Sequence, residues 1–539
     1  MATTSRTDRS FSGSSERVAA TDRPVVAKAH SGATDDSSSK SARPSAAAGT
    51  AVAAAILAVV ISAIAAAAAG GVFSDGVGNF KLGNWKSAFH LTQRDPRIES
   101  VQVDPEFRHV AGAGPGIGAS EVVVDVDRLQ DQIDHVATFS NDEPPAVTRV
   151  LFTENDVRAR DYVKTLMREA GLGIREDAIG NIFGRWEGSN ESLPAVVTGS
   201  HTDAIPLAGK YDGVVGVLGG IAAVQALKRA GFSPHRPIEV LMFTSEEPTR
   251  FGIGCLGSRM LANQTGYLDR LLALQDKDGR PFAEAAAEAG YGEARNAGSV
   301  AAVALGREQV GAFVELHIEQ GPLLEDQGLD IGIVTAIAAP ATLMVDFSGG
   351  GGHAGALLMK HRNDAGLAAA ELSLAVEAAV LATRADDTVG TTGHLMLQPN
   401  AVNSVPRHAH LEIDIRDIDE ARRDGVVSKV MAAVRSIAAR RKVKVERMEL
   451  VNADPPAQCS SMVTSAVLSA VQELGLSHQR MVSRAYHDAL FMARLAPTGM
   501  IFIPCRGGVS HRPDEFTSKA NLANGVRVLA LTLAKLSLQ

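Results

Sequence analysis

Ala195-Val-Val-Thr-Gly-Ser-His-Thr-Asp203 is followed by Gly209-Lys-Tyr-Asp-Gly213 and then by an apolar stretch that runs to Ala230. The uncharged, β-branched run Ala195 to Thr198 reads as a buried strand, and Gly213 to Ala230 as an amphipathic helix. Ile238-Glu-Val-Leu-Met-Phe243 reads as the next buried strand. Strands alternating with helices argue for an α/β layer built on a largely parallel sheet. Such folds present their chemistry beyond the carboxyl ends of the strands, where His201 and Asp203 stand.

Upstream, Thr153-Glu-Asn-Asp156 opens a helical pattern that continues to Leu166, with Thr153 or Asn155 as N-cap. Downstream, the pattern changes between about 336 and 454. Leu343–Phe347, Thr392–Leu397 and Ala409–Ile415 are strand-like, and Asn363–Ala382 and Glu420–Arg440 are helical. A small α+β domain inserted at 336–454 is therefore expected. It would interrupt a catalytic domain formed by 122–335 and 455–539.

Four segments put metal-binding residue types at element boundaries: His201 and Asp203; Asp212; Glu246-Glu247; and Glu315-Leu-His317. Taken singly, each is ordinary turn or strand-end chemistry. Together they offer what two divalent ions need, a carboxylate between them with imidazole and carboxylate outside. His201, Asp212, Glu247 and His317 supply four ligands. His511, in Gly507-Gly-Val-Ser-His511, is the natural fifth. Glu246 is then left beside the metals as a general base. The three cysteines, Cys255, Cys459 and Cys505, form no CxxC pair, so any metal must be held by His, Asp and Glu.

The joint string Gly199-Ser-His-Thr-Asp203, Gly209-Lys-Tyr-Asp-Gly-Val-Val-Gly216, Thr244-Ser-Glu-Glu-Pro-Thr-Arg-Phe-Gly252 and Glu315-Leu-His-Ile-Glu-Gln-Gly-Pro322 resembles the carbamoylase branch of the dinuclear aminoacylase and carboxypeptidase superfamily. The resemblance runs from about Val122 to the end. It implies a two-domain metallohydrolase with a mainly parallel catalytic sheet, whose inserted domain makes a homodimer. It implies that His201, Asp212 and His317 bind one metal, and that bridging Asp212 with Glu247 and His511 binds the other. Mn²⁺ is the favoured ion, and Zn²⁺ also suits oxygen and imidazole ligands. Glu246 would be the acid/base and Asp203 the carboxylate orienting His201.

The same resemblance implies substrate contacts. His353, in Gly349-Gly-Gly-Gly-His353, would polarise the scissile carbonyl, often in the neighbouring subunit's site. Asn403 and Arg416 would clamp the substrate, Arg416 by forking a carboxylate. Gln320 and His487 would also touch it. In Ser483-Arg-Ala-Tyr-His-Asp488, Tyr486 replaces the glycine usual in allantoate and N-carbamoyl-amino-acid hydrolases, as ureidoglycolate amidohydrolases do. The phenol would shrink the pocket and add a hydroxyl donor. Hydrolysis of the ureido C–N bond of ureidoglycolate is the activity this implies, with allantoate or an N-carbamoyl-L-amino acid as the alternative substrate. The competing reading from another class is an inactive, membrane-anchored binding module.

The chain is 539 residues long, enough for two or more domains, and its net charge of −8 offers no basic footprint for nucleic acid. Residues 1–48 are polar and aperiodic and read as a disordered tail. Residues 49–72 form an uncharged, alanine-rich run near the roughly 20 residues that span a bilayer. It reads as a signal or signal anchor, with 73–121 as linker. Seven Lys/Arg precede the run, from Arg6 to Arg43, which places the body in the endoplasmic reticulum or another secretory lumen. Asn190-Glu-Ser192 and Asn263-Gln-Thr265 match the N-glycosylation pattern.

Overall fold

A computed structural model describes residues 117–263 and 267–539. The expected tail, apolar segment and nearly all of the linker lie outside the described residues. Among the described residues no helix is long and apolar enough to cross a membrane.

The longer strands of the two main sheets, in chain order, are β1 (Gly173–Glu176), β2 (Ile182–Trp186), β3 (Ala195–Ser200), β4 (Ile238–Met242), β5 (Val310–Ile318) and β6 (Ile331–Ile337). Then come β7 (Ala339–Ser348), β8 (Val389–Gln398), β9 (His408–Asp417) and β10 (Lys444–Ala453), followed by β11 (His478–Ser483) and β12 (Thr498–Ile503). The helices used below are α1 (Val126–Ala137), α2 (Glu154–Glu169), α3 (Val214–Arg229), α4 (Leu256–Leu261), α5 (Ala365–Leu381), α6 (Glu420–Arg441), α7 (Ser461–Glu473), α8 (Ala489–Leu495) and α9 (Lys519–Ser537).

The large sheet has the order β6-β12-β5-β3-β4-β2-β1, with β11 and the short strand Ala457–Gln458 also beside β6. Its centre, β12-β5-β3-β4, is wholly parallel. The flanks are not: β6 runs antiparallel to β12, and β2 antiparallel to both β4 and β1. The largely parallel sheet read from the sequence is thus a mixed sheet with a parallel core. The alternation of strands with helices is visible in the chain, whereas the direction of an edge strand depends on its partner.

Side chains alternate across the sheet as the pleat requires. Val196, Val240, Val314 and Ile501 face one core with α1, α3, α7 and α9, while Val197, Leu241, Phe313 and Phe502 face a second with α4 and α8. Helix α3 is buried on nearly every side rather than amphipathic, being covered by the sheet and by α9. It can lie so close because a Cβ on Gly216 would stand 2.5 Å from that of Ser200. Thr153 caps α2, accepting from the Asp156 N–H at 3.4 Å.

The second sheet, β8-β9-β7-β10, is fully antiparallel. Leu343, Val345, Leu411 and Ile413 pack on α5 and α6 from one face. Its edge strand β10 was not read from the sequence. In Lys444-Val-Glu-Arg-Met-Glu449 the charged residues are exposed and Val445 and Met448 rest partly buried on the core, an alternation interrupted by the irregularity between Val445 and Arg447. The chain enters this sheet between Ile337 and Ala339 and leaves it at Asp454. The buried Arg423 of α6 ties the crossings together, donating to the carbonyls of Ala339 (3.5 Å) and Asp454.

Candidate metal centre and active site

Asp212 sits in the turn before α3, and its two carboxylate oxygens face different partners. Oδ1 lies 3.1 Å from His317 Nε2 and 3.7 Å from His201 Nε2. Oδ2 lies 3.2 Å from His511 Nε2, which is itself 3.3 Å from Glu247 Oε1. Two three-residue groups with ligand atoms within 4.8 Å of one another therefore share Asp212: His201-Asp212-His317 and Asp212-Glu247-His511. Tetrahedral bonds of about 2.0–2.1 Å give ligand-to-ligand edges of roughly 3.3 Å, so these separations suit cations.

Local folding aims each group. His201 follows β3 and His317 lies near the end of the neighbouring strand β5. The Nδ1 of His317 meets the Ile318 carbonyl at 2.8 Å and that of His201 the Asp203 carbonyl at 3.0 Å, leaving both Nε2 atoms toward Asp212. Gly213 has φ +67°, and a Cβ there would fall 2.4 Å from His201 Nε2, so only glycine lets the turn close over the ring. Asp203 accepts the backbone N–H groups of both Glu246 (3.2 Å) and Glu247 (3.0 Å), fixing the turn after β4. Ser245, Gln320 and His511 all take left-handed φ near +58°. Such strain in non-glycine residues collects at functional sites.

The pocket is crowded with buried acids: Asp203, Asp212, Glu246, Glu247, Glu315, Asp488 and Glu515 are all under 10% exposed. Buried carboxylates at this density call for positive charge. Burial alone would lower the pKa of His201, but Asp212, Glu246 and Asp203 hold it well above normal. Burial would raise Asp212, yet His201, His317 and His511 keep it well below the usual carboxylate range. Glu246 is pushed well up, first by burial and then by Glu247, Asp488 and Asp212, against the pull of His201. A carboxyl so placed is suited to holding a proton between two steps. This donor set fits a pair of divalent cations.

The remaining expected residues divide. Gln320 donates to Asp212 Oδ2 (2.8 Å) and Ser510 (3.2 Å), while its Oε1 is buried with no protein partner. The His487 ring packs edge-on against His317 with centroids 4.6 Å apart, and its Nε2 meets Ser483 Oγ at 2.9 Å. Arg416 pairs with Asp414 at 2.8 Å and lies within electrostatic range of Glu246. Tyr486 differs from its expected role as a hydroxyl donor to substrate. Its hydroxyl donates to Asp454 at 2.7 Å and accepts from Arg259, whose guanidinium forks the same carboxylate. His353 and Asn403 are not brought to the cluster. They are exposed on the short antiparallel pair Gly352–His353 and Ser404–Val405, with no hydrogen bond or ion pair to the metal-binding side chains.

Three supporting groups went unread. Glu515 Oε1 accepts the backbone N–H groups of Tyr211 (2.9 Å) and Asp212 (3.0 Å), and Ser510 Oγ lies between Glu515 and Asp212. Glu315 accepts from Ser200 (2.8 Å) and from the Ala489 N–H (3.0 Å). The available signal for Glu315 was a charge two residues before His317, on the same face of an otherwise apolar strand. Ser510 and Glu515 share the loop of His511.

Residues 197–535 match peptidase family M20/M25/M40, a span running from β3, before His201, into α9. The chain belongs to this family. M20-family relatives sharpen the likeness. The chain is 58% identical over 421 residues to a ureidoglycolate hydrolase of Arabidopsis thaliana, covering 78% of this chain and 88% of that protein. An N-carbamoyl-L-amino acid amidohydrolase of Geobacillus stearothermophilus is 38% identical, covering 76% and 98%. The M20 fold seen here matches a crystal structure of AtUAH in complex with (S)-hydroxyglycine with a TM-score of 0.74, at 58% identity, over 78% of this chain and 100% of that one. A second AtUAH structure holds glyoxylate.

Proposed function

We propose that this protein hydrolyses the ureido C–N bond of ureidoglycolate, giving ammonia, carbon dioxide and hydroxyglycine, which decays to glyoxylate. The observation that carries the reading is the shared Asp212, with a metal-binding group at each oxygen and the unliganded Glu246 beside them. The 58% likeness to a plant ureidoglycolate hydrolase supports the substrate.

His201, Asp212 and His317 would hold one cation, and Asp212, Glu247 and His511 the other, with Mn²⁺ the proposed ion. Cations held there would supply Lewis acidity, lowering the pKa of a bound water and polarising the ureido carbonyl. Glu246 takes the proton of the attacking water and returns it to the departing nitrogen as the C–N bond breaks. Asp203 keeps Glu246 and Glu247 on their turn through both backbone N–H bonds. Arg416 is proposed to fork the substrate carboxylate by exchanging part of its pairing with Asp414, and Gln320 and His487 to line the bound ureide.

His353 and Asn403 are proposed to act across a homodimer, each reaching the other subunit's site. Support comes from α5, which is apolar on its outer side too, with Leu374 67% and Leu381 70% exposed, and from the adjoining edge strand β8. We further propose a secretory-lumen location, by a signal or anchor within 49–72. A glycosidase-sensitive mobility shift in cell extract, lost in Asn190→Gln/Asn263→Gln, would support it, and a cytosolic, unshifted chain would rule it out.

The deciding experiment follows ammonia and glyoxylate release from ureidoglycolate by the Mn²⁺-loaded protein. Glu246→Gln should reduce kcat by ~10²–10⁴-fold with metal content unchanged, and chelator should abolish turnover reversibly. Cleavage of allantoate or an N-carbamoyl amino acid in preference would keep the machinery and overturn the substrate.

A further inference from the structure

The solvent face of the second sheet carries a group of side chains that the reaction does not use. In the register of β8 against β9, His394 stands opposite Glu412 and Met396 opposite His410; in that of β9 against β7, His410 stands opposite Asp346. His410 and Glu412 are two residues apart on one strand and so share a face. The four residues thus occupy adjacent points of a rigid antiparallel grid. The irregularity in β8 between Thr392 and His394 is what turns His394 to this face, in register with Glu412.

Glu412 Oε1 lies 3.1 Å from His410 Nε2 and 3.3 Å from His394 Nδ1, so two imidazoles on different strands converge on one oxygen. The three ligand atoms lie within 4.8 Å of one another. The opposite nitrogen of His410, Nδ1, is held by Asp346 Oδ1 at 2.6 Å. That contact fixes the ring with Nε2 directed at its neighbours, the arrangement by which an outer carboxylate orients a metal-binding histidine. The group opens on a groove of about 410 Å³ lined by Met396, Gln398 and His408. Along β9, Glu412 lies about 14 Å and His410 about 20 Å from Arg416, at the roughly 3.4 Å rise per strand residue.

We infer that His394, His410 and Glu412 form a third divalent-metal site, separate from the catalytic pair, with Asp346 as the carboxylate that orients His410. Two imidazoles and one carboxylate select a borderline ion such as Zn²⁺ over Mg²⁺ or Ca²⁺, and leave a fourth position open to water. Bound there, the ion would staple β8 to β9 beside the edge of the sheet. The inference does not rest on the proposed reaction, because it concerns a different set of ligands.

The test is metal stoichiometry. The full chain, loaded with Mn²⁺, is equilibrated by dialysis against micromolar Zn²⁺, and Mn plus Zn per chain is counted by mass spectrometry. His410→Ala and His394→Ala should each carry one ion fewer than the unaltered protein. His408→Ala, on the same face but outside the group, should carry the full number. Thermal melts of the Zn²⁺-free proteins verify folding, and His410→Asn serves as a milder second variant. Equal metal content in the unaltered protein and the His394 and His410 variants would overturn the site. Because the readout is a difference, failure of the catalytic-centre reading would change the baseline count and leave this comparison intact.

Discussion

Tyr486 was expected to offer its hydroxyl to substrate, and the structure gives that hydroxyl other partners. Its hydroxyl belongs to the buried Arg259–Asp454 pair. Tyr486→Phe should therefore cost about 1 kcal/mol of stability, the net worth of a hydrogen bond, and leave the order of substrate preference unchanged. Tyr486→Gly should enlarge the pocket and shift preference toward allantoate or carbamoyl amino acids. Unfolding curves and paired kcat/KM values separate the two, and a preference shift in the Phe variant would return the hydroxyl to the substrate. Asp203 makes a second case. Both of its oxygens accept backbone N–H groups, and an amide can replace only one of them. Asp203→Asn should lower activity or metal affinity about 10–100-fold, as is usual when a metal site's supporting partner is lost. Unchanged metal titration and kcat would show that the turn holds without it.

At the level of elements, most strands and helices could be read from the chain because burial imposes their periodicity. β3, β4, α2, α5 and α6 all lie where apolar spacing put them, within a few residues. Strand β10 could not be read, since two irregularities in its pairing, at Val445/Arg447 and Leu450/Asn452, break the period-two signal of a half-exposed edge strand. The junction between the two sheets was equally hidden. Arg423 looks in sequence like one more surface charge on a helix, yet it is fully buried and binds the carbonyls at both chain crossings. Arg259 meets the same crossing from the other side through Asp454. Arg259→Met would remove the guanidinium that forks the buried Asp454 carboxylate, and should destabilise by about 3 kcal/mol. Urea denaturation would measure it, and a loss below about 0.5 kcal/mol, the range of ordinary surface changes, would refute the clamp.

Over the whole molecule, the site in one chain holds the candidate metal-binding residues and Glu246 but leaves His353 and Asn403 at the far end of the second sheet. If these act in a partner's site, two inactive variants should rescue each other. Co-expressed His353→Ala and Glu246→Gln chains should form heterodimers with one complete site and recover activity that neither possesses alone. Leu374→Glu on α5 should weaken the dimer and lower activity with it. No rescue, together with full activity in a monomeric Leu374→Glu variant, would confine catalysis to the single chain.

The sequence by itself determined the alternation of strands and helices and singled out the His, Asp and Glu residues that the fold gathers into the candidate metal centre. Each of those residues is ordinary at its own strand end or turn, and only their joint occurrence along the chain singles them out. Only the tertiary structure decided which side chains share an oxygen of Asp212, that Glu315, Ser510 and Glu515 brace them, and that Tyr486 is held by an ion pair. Those facts depend on residues hundreds of positions apart, such as Tyr211 and Glu515. Chain spacing carries no distance between them until β3, β5 and the His511 loop are packed side by side.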